Sequence, residues 1–166
     1  ILYGAPIFWG WGQIKSTEFP QDWHTAHSLL LEDTERYNVL VLPWHMYMGI
    51  PWLPNHSKNI ASPVHAFFTQ PLIAGDNLEI PDTPSQSSNP VSQYVEAVLD
   101  TNESLQHFGK ALVPLNARYV LLTKTGDHSN FTFLYDVPDL DLIFEGPNIA
   151  LFKNRWPTAS AYLVEH

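Results

Sequence analysis

The sequence of 166 residues contains no cysteine, which excludes a disulfide framework and a cysteine-based zinc site. Charged residues make up only 15% of the chain, and 17 acidic residues stand against 8 lysines and arginines, a formal net charge of −9. Because so little positive charge cannot neutralise a run of phosphates, we expect no nucleic-acid partner and no docking on anionic lipid head groups. No apolar run reaches the length of a transmembrane helix, and no signal peptide heads the sequence.

Apolar and aromatic residues are abundant in the chain. Hydrophobic residues make up 45% of it and aromatic residues 13%, which indicates a packed globular domain. The length fits one domain, and neither an internal repeat nor a domain boundary is visible, so residues 1–166 are interpreted as a single domain. The chain opens on Ile1 rather than methionine. We interpret it as part of a longer protein; a processed N-terminus is the alternative.

Two segments of the first half predict a helix followed by a buried strand. The range Phe19–Tyr37 is the helix, because Pro20 suits a first turn and Asp22 complements the positive N-terminal end. Its apolar stripe is Trp23, Ala26, Leu30 and Tyr37. The run Val39–Leu42 shows no alternation, which is typical of a strand buried on both faces. Before them, Ile1–Gly12 is predicted to be an aromatic opening segment that packs on the core or meets a membrane helix.

The second half predicts further helices and a hairpin. The runs Leu142–Phe144 and Ile149–Phe152 flank the turn sequence Glu145-Gly146-Pro147-Asn148, which indicates an antiparallel hairpin. The other predicted elements are a short helix within Ser62–Thr69, a helix over Pro90–Thr101 with Val91, Tyr94, Val95, Val98 and Leu99 inward, a helix from about Glu103 to Leu112, a strand over Tyr119–Thr123, and a short helix capped by Ser129 and containing Phe131, Leu134 and Tyr135. Long loops are predicted for Trp44–Asn59 and Gly75–Asn89. The fold class is therefore α/β, a mixed sheet flanked by helices with a C-terminal hairpin.

Three blocks of sequence resemble a known group of proteins. The first is Phe19-Pro20-Gln21-Asp22-Trp23 with the following helix and Val39-Leu40-Val41-Leu42-Pro43-Trp44, the second is Leu115-Asn116-Ala117-Arg118-Tyr119-Val120, and the third is Asn148 to Asn154 followed by Pro157, Ala159 and Tyr162. They resemble the extracytoplasmic C-terminal soluble domain of polytopic membrane proteins built like GT-C glycosyltransferases, including YfhO-like proteins.

The resemblance implies a context rather than a catalytic site. It implies an α/β domain on the extracytoplasmic face of a membrane-anchored parent, partnered by the membrane-embedded part of the same protein. In that group the catalytic acidic residue lies in a loop near the first membrane helices, which this chain does not contain. The domain is therefore expected to be non-catalytic by itself, with no cofactor, while the parent is a candidate glycosyltransferase. Its expected role is to bind or position a glycan or a lipid-linked sugar.

The loop that follows the first strand carries the candidate ligand-binding residues. They are Trp44, His45, Tyr47, Trp52, Asn55, His56 and Lys58. Ligands in open α/β sheets bind outside the carboxyl ends of the strands, and aromatic faces with amide and imidazole groups suit a sugar ring. The alternative is that Trp44, Met46 and Trp52 fold back and cap the core.

Other polar groups carry weaker hypotheses. His24 and His27 lie three residues apart on the first helix and form a weak candidate metal site, because no acidic residue on that face supplies a third ligand. The acids Asp136, Asp139, Asp141 and Glu145 lack calcium-loop spacing and are interpreted as a solvated rim. Three N-glycosylation sequons begin at Asn55, Asn102 and Asn130.

The sequence leaves two alternatives to the glycan-positioning role. One is a protein-interaction domain of a cell-envelope membrane protein that uses the tryptophan-rich loops as its contact surface. The other is a self-contained hydrolase or transferase. That alternative lacks support from motifs, because neither a Gly-x-Ser-x-Gly elbow nor a glycine-rich phosphate loop occurs.

Overall fold

A computed structural model describes residues 17–53, 59–77, 87–101 and 105–158 of the chain. The predicted opening segment Ile1–Gly12 lies outside the described residues, as do the sequons that begin at Asn55 and Asn102. In the described part no helix is long and apolar enough to cross a bilayer.

Helices and strands alternate along the first two-thirds of the chain, and a hairpin ends it. In chain order the elements are α1 (Gln21–Glu32), β1 (Asn38–Leu42), β2 (Tyr47–Met48), β3 (Ile60–Ala61), α2 (Val64–Phe67), β4 (Leu72–Ile73), α3 (Pro90–Asp100), a 3₁₀ turn (Leu105–His107), α4 (Phe108–Ala111), a 3₁₀ turn (Val113–Leu115), β5 (Ala117–Thr123), a 3₁₀ segment (His128–Tyr135), β6 (Leu140–Glu145) and β7 (Ile149–Asn154). The predicted α/β class is confirmed.

Five strands form one mixed sheet in the order β4-β1-β5-β7-β6. Strand β1 lies parallel to both β4 and β5, while β7 lies antiparallel to β5 and to β6. The four predicted strand cores all belong to this sheet, and β1 is central, as the unbroken run Val39–Leu42 predicts. Strands β2 and β3 form a separate two-stranded antiparallel sheet.

The three inner strands are buried on both faces. On one face Leu40, Leu42, Val120, Leu122 and Phe152 form a core with α3, α4 and the 3₁₀ segment His128–Tyr135. On the other face the alternate residues Val39, Val41, Tyr119, Leu121, Ile149 and Leu151 pack with α1 and α2. Because alternate side chains point to opposite faces of a strand, two apolar layers require continuous apolar runs.

Helix α1 is shorter than predicted. Its buried stripe is Trp23, Ala26 and Leu30, as the periodicity indicates, but the helix ends at Glu32. Asp33 adopts an extended backbone, and its carboxylate accepts a hydrogen bond from the Glu35 amide at 3.1 Å, a local turn that competes with the helix. Tyr37 is buried beyond the helix, where its hydroxyl donates to the Leu30 carbonyl.

Several further predictions need correction. Val91 and Tyr94 on α3 are exposed rather than inward, and the Tyr94 hydroxyl donates to the Ala111 carbonyl at 2.7 Å. Ser129 does not cap a helix, because it lies inside the 3₁₀ segment that starts at His128. The predicted helix from Glu103 to Leu112 is described from Leu105, as a 3₁₀ turn followed by one turn of α-helix.

The edge strands also differ from the prediction. Leu142 and Ile143 were expected in a buried run, yet β6 is an edge strand and both side chains are exposed. The two-residue strands β2, β3 and β4 were not predicted, since two residues carry no detectable period. Strand β2 lies inside the predicted loop Trp44–Asn59.

Candidate functional site

A cleft lies at the carboxyl ends of β1 and β5, where the chain leaves the sheet in two directions. After β1 the chain leads to α2 on the α1 face, and after β5 it leads to the 3₁₀ segment on the opposite face. Neighbouring parallel strands whose connections part in this way form a topological switch point, the usual ligand position in open α/β sheets.

Three contacts hold the chain at the carboxyl end of β1. The Thr123 hydroxyl donates to the Leu42 carbonyl at 3.2 Å. The Thr125 hydroxyl contacts the Met48 sulfur at 2.9 Å, which fixes β2 over the end of β5. Gly75, in the loop after β4, lies so close to the Trp44 backbone that a Cβ there would sit 2.8 Å from the Trp44 carbonyl carbon. The loop that carries His45 is therefore fixed from both sides.

An imidazole–carboxylate pair bridges the cleft. His45 Nε2 lies 2.9 Å from Asp127 Oδ1, and the second oxygen of Asp127 accepts a hydrogen bond from Asn130 Nδ2 at 3.1 Å. Both side chains of the pair are partly exposed, so the ion pair itself adds at most about 1 kcal/mol to stability. Its main effect is to orient two hydrogen-bonding groups towards the cleft.

The cleft has a volume of about 270 Å³ and is lined by His45, Tyr47, Met48, Gly49, Asn59, Gly126 and Asp127. Tyr47 is 40% exposed, so one aromatic ring is open to a ligand. The described lining contains one carboxylate and no serine, threonine or lysine. These residues therefore suit hydrogen bonding and ring contact, and the described lining does not contain the carboxylate pair of a glycoside hydrolase.

The predicted aromatic residues do not form one surface. Trp44 is 9% exposed and packs in the α3 face of the core, with its indole nitrogen 3.4 Å from Glu96 Oε1. Trp52 packs on the opposite face, with ring centroids 5.5 Å from Phe19 and 5.8 Å from Trp23. Of the candidate residues, the structure brings His45 and Tyr47 together. Asn55, His56 and Lys58 lie outside the described residues.

The two histidines of α1 do not line the cleft. His24 is exposed, while His27 is half-buried and its Nε2 lies 3.1 Å from the Thr69 hydroxyl. Both rings pack against Phe67. Across the described ranges no group of three or more potential ligands could hold a metal ion.

Sequence reasoning missed Asp127, Gly126 and Asn130. The signal was present, because Lys124-Thr125-Gly126-Asp127 directly follows the buried run of β5. Ligands in open α/β sheets bind outside the carboxyl ends of the strands. Applying this expectation to β5 as well as to β1 identifies these residues.

The residues that carry the family resemblance bind one another and hold the fold. Asp22 on α1 accepts hydrogen bonds from the Asn148 backbone at 2.6 Å and from its side chain at 3.2 Å. Gly146 lies against Asp22, since a Cβ at Gly146 would sit 2.4 Å from the Asp22 Cβ. Helix α1 is thereby attached to the β6–β7 turn.

A second network attaches the other end of α1 to β5. Arg118 Nη1 donates to both oxygens of Asp33, at 3.1 and 2.8 Å, and the Tyr119 hydroxyl donates to Asp33 at 2.8 Å. Burial by itself raises the pKa of Asp33, but hydrogen bonds from Arg118, Tyr119 and the Glu35 amide outweigh it and hold that pKa below its ordinary value. Burial and the contact with Asp33 raise the pKa of Tyr119 well above its ordinary value. These shifts belong to an ion-pair network that supports the fold.

The interpretation of the acidic residues as a solvated rim is wrong for Asp139. This side chain is buried, and its carboxylate accepts hydrogen bonds from the Gly109 and Lys110 amides at 3.1 and 3.0 Å and from the Trp156 indole at 3.0 Å. It satisfies backbone donors at the start of α4, which have no partner within the helix.

No protein-family model matches the chain, and no curated protein matches its sequence. The fold is similar to part of arabinofuranosyltransferase AftD from Mycobacteria, determined by single-particle cryo-EM, with a TM-score of 0.58 and 12% identity over 86% of this chain. A mutant form of the same enzyme gives a TM-score of 0.55 and 13% identity over 85% of this chain. The match covers 13% of AftD in each case.

At these identities the likeness shows the fold alone. It is consistent with the GT-C-like resemblance of the three sequence blocks, and it does not single out the YfhO-like proteins. The chain thus has the fold of one part of a glycosyltransferase several times its length.

Proposed function

We propose that this chain is a non-catalytic domain of a membrane-anchored, glycosyltransferase-like protein and helps to bind or position a glycan or a lipid-linked sugar. The observation that carries the proposal is the fold shared with 13% of AftD over 86% of this chain. An extracytoplasmic position, with the membrane-embedded part of the same protein as its partner, belongs to the proposal.

The cleft between β1 and β5 supplies the sugar-binding chemistry. A sugar presents a face of C–H groups and a rim of hydroxyls, which require a flat apolar partner and directional hydrogen-bonding groups. The exposed Tyr47 ring supplies the first, and His45, Asp127 and Asn59 supply the second. With a single aromatic contact worth on the order of 1 kcal/mol, we expect dissociation constants of about 1 mM.

Titration with neutral trisaccharides tests the binding role. Cellotriose, maltotriose and an arabinofuranosyl trisaccharide are added while backbone amide shifts are recorded. We expect shifts at 45–49 and 125–128, with affinity lost in Tyr47→Ala and retained in Tyr94→Ala, a matched tyrosine of similar exposure on α3. Equal loss in both variants, or no shift near the cleft, contradicts the assignment of the sugar to this cleft.

Turnover tests the non-catalytic part of the proposal. The purified chain is incubated with polyprenyl-phosphate sugars and with nucleotide sugars, and products are followed by mass spectrometry. We expect no product, because the catalytic acidic residue is expected in a part of the parent protein that this chain does not contain. Sugar transfer by the chain alone would overturn this part.

A protein-interaction role is the second candidate, and the edge strand β6 favours it. Leu142 and Ile143 are exposed there, beside an unpaired strand edge. Exposed apolar edges of this kind add a strand or pack against a partner surface. Cross-linking at Ile143 in the full-length protein tests this role, because only this role requires the β6 edge itself to contact a protein partner.

A further inference from the structure

A larger cavity lies at the opposite end of the parallel strands. Its volume is about 740 Å³, against about 270 Å³ for the cleft. The walls come from the end of α1, the turn into β1, the segment that leads into β4 and the residues before β5. All these segments meet at the amino ends of β1, β4 and β5, so none of the cleft residues takes part.

Hydrogen bonds between the segments fix the cavity walls. Asn38 donates from its backbone to the Asn116 carbonyl at 2.9 Å and from its side chain to the Leu115 carbonyl at 2.7 Å. Val39 N donates to the Pro71 carbonyl at 2.9 Å, which fixes the segment that carries Gln70. A cavity with walls tied in this way is formed before a ligand arrives, which reduces the entropic cost of binding.

Two acceptors in these walls lack donors. The side-chain oxygens of Gln70 and Asn116 are buried and find no hydrogen-bond partner within the described part of the chain. The Asn116 amide cannot simply be reversed, because its nitrogen donates to the Arg36 carbonyl at 3.0 Å. Buried acceptors without a donor are rare and costly, so each one requires an explanation. A ligand donor explains the Gln70 oxygen once that amide turns towards the cavity, whereas the Asn116 amide is held in place by the Arg36 carbonyl.

The backbone at Asn116 helps to shape the cavity wall. Its φ of 51° lies in the left-handed region, which asparagine and glycine tolerate far better than other residues. Asparagine rather than glycine at this position keeps the amide at the cavity wall. Sequence analysis placed Asn116 in the second family-like block without giving it a role.

The charges around the cavity balance. The lining contains Asp33, Glu35 and Arg36, and Arg118 pairs with both carboxylates from behind the wall. Two positive and two negative groups favour neither an anion nor a cation. Leu31, Pro71 and Pro114 add C–H surface. The ligand that fits is uncharged, rich in hydroxyl donors and apolar on one face.

We propose that this cavity is a second binding site and takes an uncharged oligosaccharide segment. The volume lies in the range of small-molecule sites and exceeds the needs of a single sugar ring. Gln70 is half-buried and its terminal torsion is soft, so a ligand hydroxyl turns the amide oxygen towards the cavity at little cost. The choice of a sugar over other neutral donors rests on the proposed function.

Two variants separate this site from the cleft. Gln70→Leu removes the acceptor and keeps the side-chain volume, and Tyr47→Ala disables the cleft. In a titration of the whole chain with the same three trisaccharides, we expect amide shifts at 31–38 and 114–117. The affinity measured from these shifts should fall about tenfold in Gln70→Leu and remain unchanged in Tyr47→Ala. Thermal melting of both variants shows that each one folds.

The outcomes distinguish the two proposals. Shifts at the cleft alone, abolished by Tyr47→Ala and indifferent to Gln70→Leu, overturn the cavity proposal and leave the proposed function standing. No shift at either place with any trisaccharide overturns both. Inorganic phosphate is the charged control and should give no shift at 114–117. Shifts there with an uncharged tripeptide, and none with a trisaccharide, would overturn the choice of sugar.

Discussion

The carboxylate of Asp33 receives four hydrogen bonds at the turn between α1 and β1. Two come from Arg118 Nη1, one from the Tyr119 hydroxyl and one from the Glu35 amide. Each partner prefers the ionised form of the carboxylate, and together they outweigh its burial. At this single residue a helix end, a strand and a turn depend on one charge.

The stability of the protein should therefore depend on pH through Asp33. Its folded-state pKa lies below the ordinary value of 3.8, so its contribution is complete above that value and is lost as the pH falls through the folded-state pKa. We expect Asp33→Asn to lower the free energy of unfolding at pH 7 by about 2–3 kcal/mol. Urea unfolding at pH 7 and at pH 2.5 measures the difference, which should shrink at the lower pH. Parallel curves for the two proteins would contradict the prediction.

At the scale of elements, helix α4 depends on a residue far from it in sequence. The helix has four residues, which is too short to be stable alone, and Asp139 accepts hydrogen bonds from its first amides. The same carboxylate accepts the Trp156 indole hydrogen bond, so the segment before β6 also fixes the exit from β7.

Removing this carboxylate should release α4 from the sheet. We expect Asp139→Ala to lower the free energy of unfolding by about 2–3 kcal/mol, because three donors lose their acceptor. The exposed neighbour Asp136 is the matched control, and Asp136→Ala should change stability by no more than about 0.5 kcal/mol. Denaturant unfolding of both variants checks this, and equal effects would show that the buried contacts of Asp139 contribute little.

Sequence reasoning found the elements whose signal is local. The strands β1, β5 and β7 were predicted because both faces are buried, which produces unbroken apolar runs such as Val39–Leu42. Whether a run lies at the centre or the edge of a sheet depends on its neighbours, so the exposure of Leu142 and Ile143 on β6 could not be predicted. Tyr94 shows the same limit, since its ring position follows from α4 and not from helical spacing.

The candidate site, too, could be predicted from the sequence only in part. His45 and Tyr47 were found because they follow a recognisable strand. Asp127 follows the other parallel strand, and only the pairing of β1 with β5 brings it to His45. Trp44 and Trp52 lie in the same predicted loop but pack on opposite faces of the sheet, which composition alone does not reveal.

At the scale of the whole molecule, the sheet requires both of its apolar layers. Leu121 and Leu122 are neighbours on β5, yet each is fully buried in a different core. We expect Leu121→Ala and Leu122→Ala each to lower the free energy of unfolding by about 2–5 kcal/mol. Leu142→Ala on the exposed edge is the matched control, with an expected loss of about 1 kcal/mol or less.

Guanidinium unfolding of the three alanine variants measures these losses. A small effect at Leu121 or Leu122 would mean that one layer is loosely packed. Loss of stability at two consecutive positions differs from what an antiparallel sheet with one solvated face would show. In such a sheet only alternate positions along a strand lose stability when truncated to alanine.

The two attachments of α1 govern when this protein can fold. Asp22 at the start of the helix binds Asn148, which lies 126 residues later, and Asp33 beyond its end binds Arg118, 85 residues later. Because α1 precedes these partners in the chain, it cannot make either contact until β5 and the β6–β7 hairpin have been synthesised. Until then the apolar stripe of Trp23, Ala26 and Leu30 lacks part of its packing surface. Contacts of such separation are typical of slow folding, so the core of this domain closes only once its last hairpin is available.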